Sequence, residues 1–502
     1  MEIASNEKPI SFGIVGSGTA GLLAALMLRR AFPKSDITIV SSSALGIVGV
    51  GEGSTEHWRE FMDICSIPIE DMLVKTAATH KYGIRFEGWS NAFPNYFHSV
   101  SGDEDIYAFG LYPLYAGILA TGKTLTSQTS SSGLVENKIR VQNLHKNTNQ
   151  YHFDTFKLNS YFTELCFKRT IKMIDAQVTS VERNSENGCI ESVNTDVDVK
   201  IKADFWFDAS GMRRTLMTHL DNTDWVSFSK YLAVDSAVAA PSPSDESGQI
   251  RPYTRAIAQD SGWIWEIPTQ ERRGNGYVFS SQFLSEDEAV ARLSEQIGVS
   301  VQSPRTFKFD AGHLKNIWVN NCIAVGLAAA FVEPLEATSI GSTIQQIKLA
   351  IPYIASFAPH HTASQKHYNK SMNIMMDNIL LMIRLHYMSD RRDTPFWRHV
   401  AEMPVNDSLA EMLALWQERT PCRLDITNQH GEMFVGAHLI HVAQGQNVLN
   451  TEVGVRALKN MNLTEVVENA MSDRRHARFD HELVDHAESL KKLWIERDGN
   501  LW

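Results

Sequence analysis

The chain has 502 residues, of which 43% are hydrophobic and 21% are charged, and its formal net charge is -11. This length predicts two or three closely joined lobes, and the acidic balance argues against the basic stripe typical of nucleic-acid-binding proteins. No apolar run approaches the roughly 18 residues of a membrane span, and the acidic N-terminus lacks the apolar core of a secretion signal.

The first predicted elements are a strand, a tight turn, a helix and a second strand. Residues 10–16 read as a short buried strand, 21–32 as a helix rich in Ala, Leu and Met, and 37–40 as the next strand. The turn is a G-x-G-x-x-G element, whose glycines let the backbone approach a pyrophosphate at the helix N-terminus. The predicted dinucleotide contacts are Gly16, Gly18, Thr19, Ala20 and Gly21.

The end of the second strand departs from the usual dinucleotide pattern. An acidic residue is expected about 20 positions after the glycines, where it binds a ribose hydroxyl. Here that place is Val40-Ser41-Ser42. Ser41 is therefore the candidate ribose contact, with a neutral and weaker hydrogen bond than a carboxylate gives.

Two later segments favour FAD over NAD, which the first glycine motif does not separate. Residues 204–211 read as a strand ending in a small-residue turn, and 322–326 as another. Strands that converge on such turns suit a long cofactor crossing the sheet ends, so Gly326 and Leu327 become candidate contacts. Ordinary buried strands are the alternative interpretation.

The middle of the chain has a β-like pattern and its end is helical. Residues 180–210 alternate in short runs around an Asn-Gly turn, and 225–320 mix strands with polar turns. From about 339 the isoleucines recur at helical spacing, and amphipathic stretches follow near 365–388, 405–418 and 475–496. We therefore expect an α/β protein. Residues 1–350 would form the nucleotide-binding and catalytic lobe with an interleaved β-rich substrate region, and 351–502 a helical lobe contributing to the substrate pocket.

The cysteines give no sign of a metal site. They lie far apart, and none belongs to a Cys-x-x-Cys pair. We expect neither a metal site nor a disulfide framework, and a location in the reducing cytoplasm. The five are Cys65, Cys166, Cys189, Cys322 and Cys422.

Seven segments between about residues 11 and 350 resemble, in the same order, those of the flavin-dependent halogenases, of which tryptophan halogenases are the best known. They are GSGTAG at 16–21, VGVGEGST at 48–55, KYGIRFEGW at 81–89, YHFD at 151–154, FDASG at 207–211, SGWIWEIP at 261–268 and GLAAAFVEPLEATSI at 326–340. The W-x-W-x-I-P segment is the most telling, because it separates halogenases from related monooxygenases. The resemblance implies FAD in a fold like that of the flavin monooxygenases, with Gly51 and Glu52 among its contacts.

The resemblance also implies a reaction. Reduced FAD and oxygen would convert a halide ion to hypohalous acid, which then attacks an aromatic ring. Since no second nucleotide-binding glycine motif is evident, a separate flavin reductase is expected to supply FADH2. The halide would lie on the backbone of Thr338 and Ser339, at the start of a predicted helix whose free N–H groups favour an anion. Helix capping by the same residues is the alternative, and the two roles can coexist.

Two residues match the family's catalytic pair. Lys81 would capture hypohalous acid, by hydrogen bonding or as a haloamine, and present the halogen to the substrate. Glu336 would stabilise the cationic ring intermediate, orient the acid or accept the ring proton. Glu333 is the weaker candidate, for which a salt bridge or a turn contact is expected. Trp263 and Trp265 would both pack in the core and shield the flavin.

The substrate is expected to be an electron-rich ring such as an indole, a pyrrole or a phenol. His98 resembles a pocket residue of the tryptophan halogenases, and three tyrosines could line the same pocket: Tyr107, Tyr112 and Tyr115. Residues 432–438 lack the Asn-Trp pair expected for binding free tryptophan. The resemblance therefore supports halogenation more firmly than it supports tryptophan as the substrate.

Two other functions stay open at this stage. A flavin monooxygenase that hydroxylates an aromatic compound would share the glycine motifs, without requiring the lysine, the glutamate and the W-x-W-x-I-P segment together. A flavin-binding homologue without turnover is the second alternative, against which the presence of both candidate catalytic residues argues. The oligomeric state is also open, with a homodimer among the alternatives.

Overall fold

The structure is a computed structural model. It describes residues 8–47, 49, 52–99, 117, 120, 138–140, 150–302, 304–359, 361–422, 425–426, 429–465 and 483–498. Four residues named from the sequence lie outside these ranges: Gly51, Tyr107, Tyr112 and Tyr115.

Strands predominate in the described chain before residue 338, and helices predominate after it. The first strands are β1 (Phe12–Val15), β2 (Ile37–Ser41), β3 (Glu52–Gly53), β4 (Thr79–Lys81), β5 (Gly83–Glu87), β6 (Asn95–Ser99), β7 (Lys138–Arg140), β8 (Gln150–Phe153), β9 (Lys172–Asp175), β10 (Val178–Arg183), β11 (Ile190–Thr195) and β12 (Lys200–Lys202). The later strands are β13 (Phe205–Asp208), β14 (Trp225–Ser227), β15 (Ser236–Pro243), β16 (Thr254–Gln259), β17 (Gly262–Pro268), β18 (Arg272–Phe279), β19 (Arg305–Lys308), β20 (Gly312–Leu314), β21 (Trp318–Val319), β22 (Cys322–Ala324), β23 (Ala330–Phe331) and β24 (Leu483–Asp485). The helices are α1 (Thr19–Ala31), α2 (His57–Cys65), α3 (Ile69–Lys75), α4 (Thr155–Lys168), α5 (Glu286–Ile297), α6 (Thr338–Ile354), α7 (Thr362–His386), α8 (Pro395–Glu402), α9 (Asp407–Glu418), α10 (Gly436–Gly445), α11 (Thr451–Asn460) and α12 (His486–Asp498).

A six-stranded sheet forms the nucleotide-binding lobe. Its strand order is β21-β22-β13-β1-β2-β9, and only β21 is antiparallel to its neighbour. In the centre, β1 runs parallel to β2 and β13, and its four residues are buried. Helix α1 packs against α4 and α6 beside this sheet. The predicted βαβ opening and Rossmann-type lobe are thereby confirmed, with helix α1 beginning two residues earlier than expected.

A seven-stranded sheet forms the expected β-rich region. Its order is β19-β15-β18-β17-β16-β5-β6, with β5 and β16 parallel and the other pairs antiparallel. Strand β17 lies between β16 and β18 and is buried along its whole length. The two tryptophans of the W-x-W-x-I-P segment are therefore held in the middle of the sheet.

A small sheet of β3, β8 and β4 joins the two larger ones. Residue Glu52 of β3 pairs with Phe153, and Lys81 of β4 pairs with Gln150. Because β5 begins two residues after Lys81, the lysine lies where the small sheet meets the seven-stranded sheet.

One element of the predicted β-rich region is a helix. The expectation of strands and turns alone over residues 225–320 is wrong at α5. Ser285 and Glu288 form a capping box at its N-terminus. Three residues at helical spacing, Ala289, Leu293 and Ile297, are buried against β15 and β18, so burial on one face favours the helix.

The C-terminal part of the described chain is largely helical, as expected. The division proposed at residue 350 falls inside α6, which continues to Ile354, and stays a prediction. Helix α7, the longest of the described helices with 25 residues, packs against α6, α9 and α10. Among the described residues, no helix has the length and apolar character needed to cross a membrane.

Candidate active site

The glycine-rich loop between β1 and α1 forms a cradle of small residues. A β-carbon at Gly16, whose φ is +108°, would lie 2.3 Å from the carbonyl oxygen of Ala209. One added at Gly18 would meet nothing within 4 Å. Gly18 is also the N-cap of α1 and provides no side-chain cap. The open space and the uncapped helix N-terminus fit the pyrophosphate of a dinucleotide.

The second glycine turn packs directly on the first. Gly326 has φ of +60°, and a β-carbon added there would lie 2.5 Å from the β-carbon of Ala20. Leu327 follows in a 3-10 turn, Gly326–Ala328, and is half-buried. Thr19 and Gly21 lie in the first turn of α1, where a side chain at Gly21 would clash with the carbonyl oxygen of Gly16. The sequence-predicted turns thus converge on one place.

Two polar side chains, those of Ser41 and Asn159, form hydrogen bonds with Ser17 of the glycine-rich loop. The Ser41 hydroxyl donates to Ser17 Oγ at 2.6 Å, so the candidate ribose residue contacts the glycine loop itself. Asn159 Nδ2 donates to the carbonyl oxygen of Ser17 at 2.7 Å. Asn159 was missed in the sequence, because an asparagine on a helix such as α4 carries no distinguishing motif. Glu52 lies on β3 and is half-buried.

Lys81 is buried, with 2% of its surface exposed. Its Nζ donates to the carbonyl oxygen of Ser54 at 2.9 Å. Burial lowers the pKa of Lys81 from 10.5 to about 8, although the carboxylates of Glu336 and Glu56 oppose the shift. A lysine of this kind can be neutral or charged close to neutral pH.

Glu336 lies between two histidines. Its Oε1 accepts from His386 Nε2 at 2.7 Å, and from His98 Nδ1 at 3.0 Å. Burial acts to raise the pKa of Glu336, but the two imidazoles hold it well below its usual range. The carboxylate is therefore ionised, and the structure brings the predicted pocket residue His98 into direct contact with it.

A chain of hydrogen bonds runs from Gln446 through Tyr96 and His386 to Glu336. The Tyr96 hydroxyl lies 3.0 Å from His386 Nδ1 and accepts from Gln446 Nε2 at 3.0 Å. Donation by Tyr96 makes His386 Nδ1 an acceptor and puts the ring proton on Nε2, facing Glu336. Burial lowers the pKa of His386, which favours this neutral form.

The segment after Glu336 leads into α6. Ala337 has φ of +55°, provides no side-chain cap, and precedes Thr338, the first residue of the helix. Thr338 is buried, and its Oγ1 has no hydrogen-bond partner among the described residues. The half-buried Ser339 is the second helical residue. Unpaired N–H groups in the first turn and an unpartnered hydroxyl suit a small anion.

Gly53 connects this helix start with Lys81. A β-carbon added at Gly53 would lie 3.5 Å from Lys81 Nζ and 3.7 Å from the β-carbon of Ala337. The lysine ammonium and the residue before α6 therefore both lie close to the α-carbon side of Gly53 from which a side chain would project.

Trp263 and Trp265 are buried on β17, with ring centroids 6.2 Å apart. The Trp263 indole donates from Nε1 to Glu333 Oε2 at 3.2 Å, and the Tyr387 hydroxyl donates to the same oxygen at 2.8 Å. Burial raises the pKa of Glu333 to about 7. The expected salt bridge or turn contact of Glu333 is therefore wrong: it is a core carboxyl that accepts neutral donors.

Several neighbours of the site were missed in the sequence. His438 of α10 packs its ring against His98, with centroids 5.5 Å apart, and lies 3.8 Å from Glu56. His486, close to the C-terminus, accepts at Nε2 from the amide of His80, the residue before Lys81. Long-range packing alone places these side chains, so local motifs do not indicate them. Among the described residues, no cluster of three or more His, Cys, Asp or Glu could hold a metal ion.

The chain is similar to known proteins over most of its length. The family model for tryptophan halogenase matches residues 11–459. The 7-chloro-L-tryptophan 6-halogenase KtzR of Kutzneria sp. (strain 744) is 30% identical over 440 residues, which cover 81% of this chain and 85% of the relative.

The fold is also similar to those of solved halogenase structures. The tryptophan 6-halogenase SttH of Streptomyces toxytricini has a TM-score of 0.86 at 26% identity, covering 97% of this chain and 100% of that chain. BrvH, a flavin-dependent halogenase from Brevundimonas sp. BAL3, has a TM-score of 0.81 at 26% identity, covering 97% and 99%. The chain therefore belongs to the tryptophan halogenase family and is a flavin-dependent halogenase, an oxidoreductase that uses reduced FAD and a halide.

Proposed function

We propose that this enzyme makes hypohalous acid from oxygen and a halide ion and delivers the halogen through Lys81 to an electron-rich aromatic ring. The observation that carries the proposal is the burial of Lys81 in one site with an ionised Glu336 and with the start of α6. When bound, FADH2 would supply two of the four electrons that O2 accepts, and the halide would supply the other two, so that hypohalous acid and water form. The remaining steps belong to the protein's own side chains.

The halide site is proposed at the start of α6. The backbone N–H groups of Thr338 and Ser339 would bind the ion, together with the unpartnered hydroxyl of Thr338. An anion in this place gains from the helix dipole and meets no acidic residue in the first turn of α6. The site lies close to Lys81, since Lys81 Nζ and the β-carbon of Ala337 both lie within 4 Å of the position of an added β-carbon at Gly53.

The cofactor site is proposed on the converging glycine turns. The N-terminus of α1 would bind the pyrophosphate, with Gly16, Gly18, Thr19, Ala20 and Gly21 forming the turn and Ser41 near the ribose. Gly326 and Leu327 would approach the cofactor from the second turn, and Gly51 and Glu52 from the segment before β4. Trp263 and Trp265 would separate the flavin from the aromatic substrate.

Lys81 is proposed to capture the hypohalous acid. The neutral amine can form a haloamine, and the ammonium can hydrogen-bond the acid; the lowered pKa makes both forms accessible. The contact with Ser54 fixes the side chain, so the halogen is presented at one place. If the acid is hydrogen-bonded, the ring forms a carbon–halogen bond and loses its proton, and the oxygen of the acid leaves as water. If a haloamine forms, water leaves in that first step, and the transfer to the ring returns the ring's proton to the lysine amine.

Glu336 is proposed to stabilise the positive charge that develops on the ring. An ionised carboxylate in a buried site interacts strongly with such a charge, and it can also accept the ring proton. Hydrogen bonds from His98 and His386 keep it ionised and oriented. The side chain does not have to move for the reaction.

The substrate is proposed to be an indole, a pyrrole or a phenol that contacts His98. The relatives KtzR and SttH are named as tryptophan halogenases, so indole compounds are the first candidates. Residues 432–438 place His438, whose pKa burial lowers to about 4, beside His98. This neutral imidazole lies in the region where residues binding the ammonium and carboxylate groups of free tryptophan were expected. The proposed substrates therefore include larger or uncharged indoles as well as tryptophan.

A separate flavin reductase is proposed to supply FADH2, because one dinucleotide cradle is evident in the sequence. A cytoplasmic location is proposed because the five cysteines are free thiols, and free thiols are typical of proteins in reducing compartments.

The test is a mass-spectrometric screen of the purified protein. It combines a flavin reductase, NADH, FAD and each halide in turn with tryptophan, indole, pyrrole and phenol. We expect products heavier by one halogen in place of one hydrogen, formed only when the halide is present. Insertion of oxygen without halide would identify an aromatic monooxygenase instead, and flavin binding without any turnover would identify an inactive homologue.

A further inference from the structure

Two consecutive residues at the C-terminal end of α7 contact the two glutamates that precede α6. His386 Nε2 donates to Glu336 Oε1 at 2.7 Å, and the Tyr387 hydroxyl donates to Glu333 Oε2 at 2.8 Å. All four side chains are buried. One end of a helix in the C-terminal part of the chain thus holds both carboxyl groups of the segment that carries the halide site.

Each contact leads to a different functional element. Glu333 accepts from Trp263 as well as from Tyr387, so this branch ends on a proposed flavin shield. Glu336 accepts from His98 as well as from His386, so this branch ends on the carboxylate beside Lys81. Within the described residues, no hydrogen bond joins a member of one branch to a member of the other. The ring of Trp89 packs against His386, Tyr387 and Trp263, so the two branches share this packing contact.

Buried hydrogen bonds and ring stacking hold the C-terminal end of α7 in place. The buried guanidinium of Arg384 donates to the carbonyl oxygens of Tyr387 and Val400, and also to those of Met403 and Pro404. The His386 ring stacks on Phe86, with centroids 4.5 Å apart. Because a cation bonds the last carbonyl groups, the helix end cannot turn without breaking buried hydrogen bonds.

We propose that the end of α7 is a positioning device with two separate chains of hydrogen bonds, one through each glutamate. Tyr387, through Glu333, fixes the indole of Trp263 so that hypohalous acid reaches Lys81 and does not escape to solvent. His386 fixes the carboxylate of Glu336 for the transfer to the ring. Both are positioning residues, and this inference rests on the proposed function.

The Tyr387 branch is tested with Tyr387→Phe, which removes one hydroxyl group. Oxidant that escapes is trapped by monochlorodimedone while the most productive aromatic from the screen above is present. We expect escaped oxidant to rise and aromatic product to fall, each by about tenfold, with the total oxidant per FADH2 unchanged. Tyr368→Phe is the matched control: on the same helix, it removes a buried hydroxyl that donates to the Gln346 carbonyl oxygen at 3.0 Å.

The His386 branch is tested with His386→Leu and His386→Gln. The leucine variant should lower kcat for aromatic halogenation by about tenfold or more, with KM for the aromatic and the escaped oxidant near their wild-type values. The glutamine amide can again donate to Glu336, so it should restore part of kcat. His367→Leu, on an exposed part of α7, is the control.

A measurement without FAD separates a failure of the two branches from a failure of the proposed function. Denaturation midpoints of the apoproteins are measured for Tyr387→Phe combined with Glu333→Gln, and with Glu336→Gln. We expect non-additive effects in the first pair and additive effects in the second. Additive effects in the first pair, or the same catalytic defect in Tyr387→Phe and His386→Leu, would overturn the device. A wild-type protein that halogenates nothing would instead overturn the proposed function, and the midpoints would still decide whether the branches exist.

Discussion

The ammonium group of Lys81 lies 2.9 Å from the carbonyl oxygen of Ser54, inside a site where only 2% of the lysine is exposed. Lysine is rarely buried, because its charged form loses hydration. Here the antiparallel pairing of β4 with β8 holds the residue inward. Burying this ammonium group lowers the stability of the fold, and the proposed mechanism assigns the residue a catalytic role; both consequences can be measured.

Replacing Lys81 by alanine should abolish aromatic halogenation while the enzyme continues to form oxidant. In the proposed mechanism the halide is oxidised at the flavin, whereas the lysine acts only in delivery. We expect product to fall by a factor of about 10² or more, with FADH2 oxidation and monochlorodimedone halogenation retained. Lys75→Ala, which alters a surface pair with Glu164, is the control. Full product formation in Lys81→Ala would reject delivery by this residue.

The pH dependence of delivery should follow the pKa of Lys81, which is about 8. The neutral amine increases as pH rises through that value, by about tenfold between pH 7 and pH 9. If the amine carries the halogen, aromatic product per oxidant formed should rise over this range. Oxidant formation by Lys81→Ala, measured over the same range, corrects for the earlier step. A fall with pH would favour hydrogen bonding by the ammonium instead.

Lys81→Met should stabilise the fold near neutral pH. The pKa in the folded state, about 8, lies below the usual 10.5, so the unfolded chain binds more protons between these values. Wild-type stability therefore rises with pH from 8 to 10.5. At pH 7 the methionine variant should be more stable by up to roughly 3 kcal/mol, and the difference should shrink towards pH 10. Urea unfolding at pH 7 and pH 9.5 measures it; an unchanged difference would contradict the burial of a charged lysine.

Glu336→Gln should lower kcat by a factor of about 10² to 10³ and leave FAD binding intact. The amide keeps the size of the side chain but removes the charge that is proposed to stabilise the ring intermediate. FAD affinity is measured by flavin fluorescence, and turnover by product mass. Glu60→Gln, which alters an exposed pair with Lys348, is the control. Loss of FAD in Glu336→Gln would indicate a structural role.

Thr338→Val should raise KM for the halide by about tenfold or more. Hydrogen bonds to charged groups contribute about 1.5–3 kcal/mol, and the Thr338 hydroxyl has no other partner in the described part of the chain. Thr338→Ser keeps the hydroxyl and should retain most of the affinity. Halide dependence of oxidant formation gives KM for each variant. Equal values for the valine variant and the wild type would place the ion elsewhere.

Local segments of the sequence were sufficient to predict the cofactor lobe. The strand, the glycine turn and the helix are contiguous, so their spacing predicts the turn at Gly16 and Gly18, while Ala209 and Gly326 complete the cradle from distant segments. Lys81, Glu336 and Thr338 likewise lie in short motifs whose residue types carry chemistry. The helix α5 was missed because its amphipathic pattern is short and lies among strands.

The environment of these residues was decided by the tertiary structure alone. His386 and Tyr387 lie about 50 residues after the glutamates that they hold, at the end of a helix whose sequence shows only an apolar face. Hydrophobic periodicity indicates which face of a helix is buried, but it does not indicate what lies opposite. The burial that lowers the pKa of Lys81 and the imidazoles that keep Glu336 ionised come from segments far apart in the chain, so they exist only once those segments have packed.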